Sequence, residues 1–138
     1  MNEIKWRYVK QLQSNNLIEE FEQAKGYKFD DAFKECIIKN NGGRPSSSVF
    51  DTNTTDGRTI MSLLSFNKSD KSNIWTMNDN ESDDIGKKYI AFAIDNFGNL
   101  ISFERETNAI VFWNHENGTI EKTAGYFKEF LAKLHNSD

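Results

Sequence analysis

The chain has 138 residues, with 17 Lys and Arg against 21 Asp and Glu, so its formal net charge at pH 7 is −4. This length is typical of one domain with one ordinary hydrophobic core. An acidic chain whose basic residues are scattered is a poor ligand for nucleic acid, because neutralising phosphates requires clustered Lys and Arg. The single cysteine, Cys36, excludes an internal disulfide and Cys-rich zinc sites.

The sequence also lacks membrane-directing features. Residues 1–7 contain no apolar stretch of the kind found in signal peptides, and no run of about 18 apolar residues occurs anywhere. We therefore expect a cytoplasmic protein that does not bind nucleic acid directly and does not enter a membrane.

The first third of the chain is predicted to be helical. Apolar residues at four-residue spacing predict a short helix over residues 4–12. A second apolar face over residues 17–24 follows a capping box formed by Asn16 and Glu19, and Gly26 is a typical helix stop. These signals predict a second helix.

A third helix is predicted to begin at Asp30 and Asp31, whose carboxylates suit the positive end of the helix dipole. Phe33, Cys36 and Ile37 fall on one of its faces, and the run Asn40-Asn41-Gly42-Gly43 ends it.

The middle of the chain is irregular. Short strands are predicted over residues 49–51 and 59–66, and residues 74–77 form a brief apolar anchor. Residues 78–86 are predicted to form an acidic loop.

The clearest β signal lies in the second half. Apolar runs over residues 89–94, 100–103 and 109–113 are separated by turn-forming residues 95–99 and 104–108. This pattern predicts an antiparallel meander. Because the first run is apolar on both faces, we expect that strand to lie centrally in the sheet.

The C-terminal region shows a helical period. Ile120, Ala124, Phe127, Leu131 and Leu134 recur at helical spacing, which predicts a helix over residues 120–134. The order of all these elements predicts a single α+β domain over residues 1–138, with helices packed around a mainly antiparallel sheet.

Catalytic signals are weak. His115 follows a predicted strand, and Asp95 or Glu104 in the meander would orient it as a general base or join it in a metal site. The alternative is an ordinary strand-end histidine, which we favour because no nucleophile motif accompanies it. Cys36 shares a face with core residues and is best interpreted as a small hydrophobe. We expect no enzyme activity, no cofactor and no bound metal.

The loop from Asp79 to Asp84 carries four carboxylates. Its spacing does not fit an EF-hand, because Asp84 stands where that loop requires Gly and Ile90 stands where it requires Glu. Two interpretations remain, a solvated loop or a surface that binds a protein.

Several short segments occur in a characteristic order along the chain. They are Leu17-Ile18-Glu19-Glu20-Phe21-Glu22 with Gly26, Asp31-Ala32-Phe33-Lys34 followed by Asn40-Asn41-Gly42-Gly43-Arg44-Pro45, Tyr89-Ile90-Ala91-Phe92-Ala93-Ile94-Asp95 with Gly98-Asn99, Val111-Phe112-Trp113-Asn114-His115, and the set Ala124, Phe127, Phe130 and Leu131. Together they resemble the SUKH superfamily, also called the Smi/Knr family, over about residues 14–134. One departure is Lys28-Phe29, which stands where the family often has Leu-Pro.

The resemblance implies an α+β fold and a protein-binding function without a fixed catalytic residue set. In bacteria such proteins are typically immunity proteins, which bind the toxic domain of a polymorphic secreted toxin, often a nuclease. In fungi, relatives regulate cell-wall synthesis.

The first hypothesis is therefore an immunity protein, a monomer or weak dimer, that neutralises a basic nuclease toxin through an acidic surface. Trp75 would add an apolar anchor if exposed. The candidate toxin-binding residues are the carboxylates of one loop and one hairpin turn: Asp79, Glu81, Asp83, Asp84, Glu104 and Glu106.

Two alternatives stay open. One is a regulatory or scaffold module of the cell-wall type, which would bind a wall or signalling protein. The other is an unrecognised enzyme or metal-binding protein that uses Asp95, Glu104 and His115.

Overall fold

The computed structural model describes residues 4–79 and 84–136, with the backbone alone at residues 84 and 85. The helices in these ranges are α1 (Asn16–Lys25), α2 (Asp31–Asn40), α3 (Ile74–Met77), α4 (Asp84–Lys88) and α5 (Phe127–Lys133). The strands are β1 (Trp6–Arg7), β2 (Arg44–Pro45), β3 (Val49–Phe50), β4 (Arg58–Thr59), β5 (Ser62–Leu63), β6 (Tyr89–Ile94), β7 (Leu100–Glu104), β8 (Ile110–Asn114) and β9 (Thr119–Ala124).

The main sheet has five antiparallel strands in the order β5-β6-β7-β8-β9. Two short ribbons, β1-β2 and β3-β4, complete the strand pairings. The predicted meander is confirmed, because β6 covers the predicted residues and β7 and β8 each differ from the prediction by one residue. The mixture of helices and antiparallel sheet confirms the α+β class.

A cluster of phenylalanines joins the helices to one face of this sheet. Phe33 of α2 packs against Phe92 of β6 and Phe103 of β7, with ring centroids 5.6 and 5.1 Å apart. Phe127 of α5 reaches the same two sheet residues. We call this helix-covered side the inner face of the sheet, and it contains the hydrophobic core.

Local sequence signals explain the first two helices. Gly26 ends α1 in the left-handed conformation at φ 65°, where a side chain would be strained. The Asp30 carboxylate accepts a hydrogen bond from the Phe33 N–H and so caps α2, which begins where Asp30 and Asp31 predict. The capping box is wrong, since Asn15 holds the N-cap position without a side-chain bond and the Asn16 N–H donates to Ser14 Oγ. The buried face of α1 also differs, because Ala24 is exposed whereas Ile18 and Phe21 are buried.

The helix predicted over residues 4–12 is wrong. The segment instead pairs as β1 with β2, and Tyr8 has φ 57°, which breaks any regular element. The backbone of Lys10 bonds to Asn41 in both directions, through the Asn41 carbonyl and the Asn41 side-chain amide. Residues far along the chain therefore satisfy the hydrogen-bonding groups of this backbone. The local spacing of apolar residues at i and i+4 carries no information about such distant partners.

The prediction of a C-terminal helix over residues 120–134 is wrong in its first part. Residues 119–124 form β9 beside β8, and only Phe127–Lys133 is helical. The strand escaped recognition because its inward residues Glu121 and Thr123 are polar while Ile120 lies on the other face. The apolar helical spacing across Ile120 and Ala124 was coincidental.

The middle of the chain contains shorter and more numerous elements than predicted. Residues 59–66 do not form one strand, because β4 pairs with β3 and β5 pairs with β6. The apolar anchor at residues 74–77 is the one-turn helix α3, and α4 begins inside the predicted acidic loop. None of the helices in the described ranges has the length and apolar character needed to cross a bilayer.

A buried ion pair fixes the β3-β4 ribbon to the sheet. Glu121 is 7% exposed, and its carboxylate accepts a hydrogen bond of 2.6 Å from the Arg58 guanidinium. Thr52 and Thr55 also donate to it, and Arg58 stacks over the Phe112 ring at 4.5 Å. The hydrogen bond from Arg58, and secondarily those from the threonines, hold the pKa of Glu121 below its ordinary value.

This pair predicts a specific loss of stability in acid. Glu121→Gln leaves the Arg58 charge unpaired, and because Arg58 is partly exposed we expect about 2–3 kcal/mol of destabilisation near pH 7, below the ~3–5 of a fully buried pair. Since the folded-state pKa is lowered, the ionised Glu121 stabilises the fold above its ordinary pKa of 4.5, and the effect is lost as pH falls through the folded value.

Urea unfolding of the wild type and Glu121→Gln at neutral pH and at about pH 3 measures this difference. Glu116→Gln, at an exposed position in the β8-β9 turn, is the matched control and should stay within about 0.5 kcal/mol of the wild type. A Glu121→Gln deficit that is equally large at both pH values contradicts the assignment.

Candidate protein-binding site

The predicted contact residues that the structure describes lie at one end of the main sheet. Glu104 ends β7 and pairs with Tyr89, the first residue of β6, while Asp84 begins the short helix that runs directly into β6. The Arg105 N–H donates to the Lys88 carbonyl at 2.8 Å, which ties the β7-β8 turn to the end of α4. The fold thus brings two distant segments together. We call this region the acidic end; it comprises Asp79, Asp84, Glu104 and Glu106.

The individual residues of the acidic end differ in exposure. Asp79 and Glu106 are exposed, whereas Glu104 is half-buried and accepts a 2.5 Å hydrogen bond from Thr107 Oγ1. Asp84 is placed by its backbone alone, and Glu81 and Asp83 lie outside the described residues.

Basic residues share the acidic end, which sequence reasoning did not anticipate. The Lys25 ammonium donates to the Asn78 carbonyl at 2.6 Å, and the Arg105 guanidinium donates to the Lys25 carbonyl at 2.9 Å. Lys87 and Lys88 close α4. The surface therefore carries both charge signs, and its preference for a partner depends on how the charges are arranged as well as on their sum.

The acidic loop is held firmly where it leaves α3. The Asn78 side-chain amide donates to the carbonyls of Ile74 and Ala91, and its oxygen accepts from the Ala91 N–H. The two bonds to Ala91 use the β6 edge that β5 does not reach, because β5 pairs only with Ala93 and Ile94.

A tyrosine links the same end to helix α1. The Tyr27 hydroxyl donates to Asn108 Oδ1 in the β7-β8 turn at 2.5 Å. Burial, and secondarily the negative charge of Asp30, raises the pKa of Tyr27, so the hydroxyl remains a donor at neutral pH. Tyr27 also lines a groove of about 690 Å³ between α1 and α2, with Ile18 and Ile38 among its walls.

Trp75 is not an exposed anchor. It is half-buried, its ring lies edge-on to Phe21 at 5.2 Å, and its indole N–H donates to the Phe66 carbonyl. Lys68 covers it at 4.3 Å from the ring centroid. These contacts give Trp75 a packing role.

The three residues of the enzyme alternative do not form a site. The Asp95 carboxylate accepts hydrogen bonds from the backbone of Phe97 and from both nitrogens of Asn99, so it shapes the β6-β7 turn. His115 Nε2 lies 2.9 Å from the Phe97 carbonyl oxygen at that same turn. Glu104 stands at the opposite end of β7. No group of three or more His, Cys, Asp or Glu residues in the described part of the chain is placed to hold a metal ion.

The thiol of Cys36 is not activated as a nucleophile. Burial raises the pKa of its thiol to about 11, so the thiol stays protonated at neutral pH and is a weak nucleophile. This supports the interpretation of Cys36 as part of the packing between α2 and the core.

The described residues thus form an α+β domain with one helix-covered sheet face and an end that carries both charge signs. A family model described as SMI1-KNR4 cell-wall, SUKH_6, matches residues 15–131, and the chain belongs to this family of the SUKH superfamily. Members of the superfamily are generally non-catalytic immunity or regulatory proteins. No curated protein matches the sequence significantly.

The Asn78 contacts predict how the acidic loop is held. Asn78→Ala removes three hydrogen bonds and leaves the Ala91 amide and carbonyl without them, so we expect about 2–3 kcal/mol of destabilisation, moderated by partial solvent access. Amide hydrogen exchange at Ala91 should accelerate more than exchange at Phe103 in the sheet centre. Asn96→Ala, in an exposed turn position, is the matched control. Unchanged protection of Ala91 in Asn78→Ala would show that the loop is held by other contacts.

Proposed function

We propose that this protein is an immunity protein that binds and neutralises a cognate toxin domain, a basic nuclease, in the cytoplasm. The observation that carries the proposal is the family match over residues 15–131. The overall charge of −4 and the carboxylates of the acidic end support the choice of a basic partner.

The mechanism is occlusion without chemistry. A nuclease presents Lys and Arg to hold phosphates, and carboxylates on an inhibitor can occupy the same positions. In this chain Glu104 lies at the end of β7, and Glu106 lies in the β7-β8 turn. Asp79 follows α3, and the sequence places Glu81, Asp83 and Asp84 in the same loop. Lys25 and Arg105 would restrict the orientations in which a positively charged surface can approach, because misaligned cations meet like charge.

Internal contacts support a surface that changes little on binding. Asn78 fixes one end of the loop, the Arg105–Lys88 backbone bond fixes the other, and Tyr27 holds the hairpin turn. Holding Asn78, Lys88 and the hairpin turn in place before binding lowers the entropy lost when a partner binds.

The second candidate is a regulatory or scaffold module that binds a cell-wall-synthesis or signalling protein. The description of the matched family, which refers to the cell wall, favours this alternative. The two functions share a protein-binding mechanism and differ in the identity of the partner.

The partner is identified by affinity purification of the tagged chain from its own host cells, followed by mass spectrometry. We expect a secreted-type protein with a basic C-terminal domain. Expressed alone in a heterologous bacterium, that domain should stop growth, and co-expression of this chain should restore it. Recovery of wall-synthesis or signalling proteins that are not toxic would instead favour the regulator.

Charge reversal tests the acidic mechanism. Glu104→Lys with Glu106→Lys should slow association about tenfold or more at low salt and remove most of the salt dependence, because steering by opposite charges is lost. Glu19→Lys with Glu20→Lys changes the net charge equally on the exposed surface of α1 and is the matched control. If both double variants slow association alike, the effect comes from net charge alone; full protection by Glu104→Lys/Glu106→Lys would contradict the mechanism.

A further inference from the structure

Four apolar residues form a row across the sheet on the side opposite the phenylalanine core. In the antiparallel register Ile94 lies opposite Leu100, Leu100 opposite Trp113, and Trp113 opposite Ile120. Directly opposed residues point to the same face, so these side chains are neighbours. All four are half-buried. We call them the outer row and their side of the sheet the outer face.

Helices α2 and α5 contact the other face. In the part of the chain that the structure describes, the ring contacts between the helices and the main sheet go to Phe92 and Phe103. Residues alternate between faces along a strand, and Leu100 is three residues before Phe103. Its side chain therefore points away from these helices. The apolar outer row therefore lies on the side that the aromatic core does not use.

The two edges of the main sheet are engaged by the chain itself. On the β5 side, the Leu63 N–H donates to the Gly43 carbonyl. On the β9 side, the Asn53 N–H donates to the Lys122 carbonyl, and the Lys122 N–H donates to the Asn53 side chain. A partner that added a strand would have to displace these bonds, so contact through the side chains of the outer face is the better route.

The charges of the outer face and of the whole chain bear on the choice of partner. Glu104 lies on the same face as the outer row, opposite Tyr89 and at the acidic end of the sheet. Phe97, 73% exposed in the β6-β7 turn, stands at the other end. Lys122 also lies on this face, opposite Val111, and is exposed. The outer face thus carries one charge of each sign beside the apolar row, and the net charge of −4 on the whole chain favours a partner with net positive charge. A second copy of this chain is a poorer fit, because each copy carries a net charge of −4.

We infer that the outer face, centred on Trp113, is the docking surface for a basic protein domain, whose apolar side chains contact the outer row while its cations meet Glu104. This inference rests on the proposed function for the nature of the partner, and it adds the surface and the residues that bind. Trp113 is the anchor, because Trp is among the residues most enriched at the energetic centres of interfaces.

Photo-crosslinking in host cells tests the location. The crosslinking amino acid p-benzoylphenylalanine replaces Ile120 in the outer row or, in a parallel strain, Ile38, which is 53% exposed on α2. We expect a covalent adduct with one basic protein from position 120 and none from position 38. An adduct only with another copy of the chain, an adduct only from position 38, or no adduct from position 120 would each overturn the inference.

A matched pair of substitutions tests the energetics with the purified partner domain. Ile120→Lys should raise the dissociation constant at least about tenfold, because it places an ammonium against the cations and apolar atoms of the partner. Ile38→Lys makes the same chemical change on α2 and should leave the dissociation constant within about twofold. Melting temperatures of both variants establish that they fold. Equal affinities of Ile120→Lys and wild type would overturn the inference.

These results separate the two proposals. A basic partner that crosslinks at position 120 but is not toxic supports the docking surface and refutes the immunity function. A toxic partner that binds Ile120→Lys normally supports the immunity function and refutes the docking surface.

Discussion

Phe33 of α2, Phe103 of β7 and Phe127 of α5 meet in one three-way contact, with ring centroids 5.0–6.2 Å apart. The contact determines which side of the sheet the helices cover, because two helices from opposite ends of the chain insert a ring onto the same strand. Each buried aromatic side chain removes about 150–250 Å² from water, so packing three of them together favours this arrangement of helices and sheet. The outer face and the acidic end are available to a partner because the helices are engaged here.

Polar contacts then give the molecule its detailed shape. Asn78, Asn41 and Asp95 each use their side chains to satisfy backbone groups that no strand or helix partner reaches. Such bonds add little net stability each, but leaving a buried backbone group without a partner is costly, so these three side chains hold the backbone that they contact.

Sequence reasoning succeeded where the determining interactions are local. The caps at Asp30 and Gly26 and the turn residues between β6 and β7 act within a few positions of the chain, so α1, α2 and the meander could be predicted. Sequence reasoning failed where hydrogen-bond partners far along the chain determine the conformation. Residues 4–12 and 119–124 take their conformation from hydrogen bonds to Asn41 and to β8, and no pattern in those segments encodes the partner. The same holds for the site, because the carboxylates were visible as a cluster, but Lys25 and Arg105 are 80 residues apart and only the fold brings them together.

The sequence by itself determined the acidic character, the α+β class, the central meander and the family signatures, because composition and local hydrogen-bonding chemistry are properties of short stretches of chain. The tertiary structure decided which strand completes the sheet, which carboxylates share an end with which cations, and that Trp113 rather than Trp75 lies in a row on the outer face. Those outcomes depend on strand register and on the choice of packed face. Both are fixed only when residues far apart in the chain pack against one another in the core.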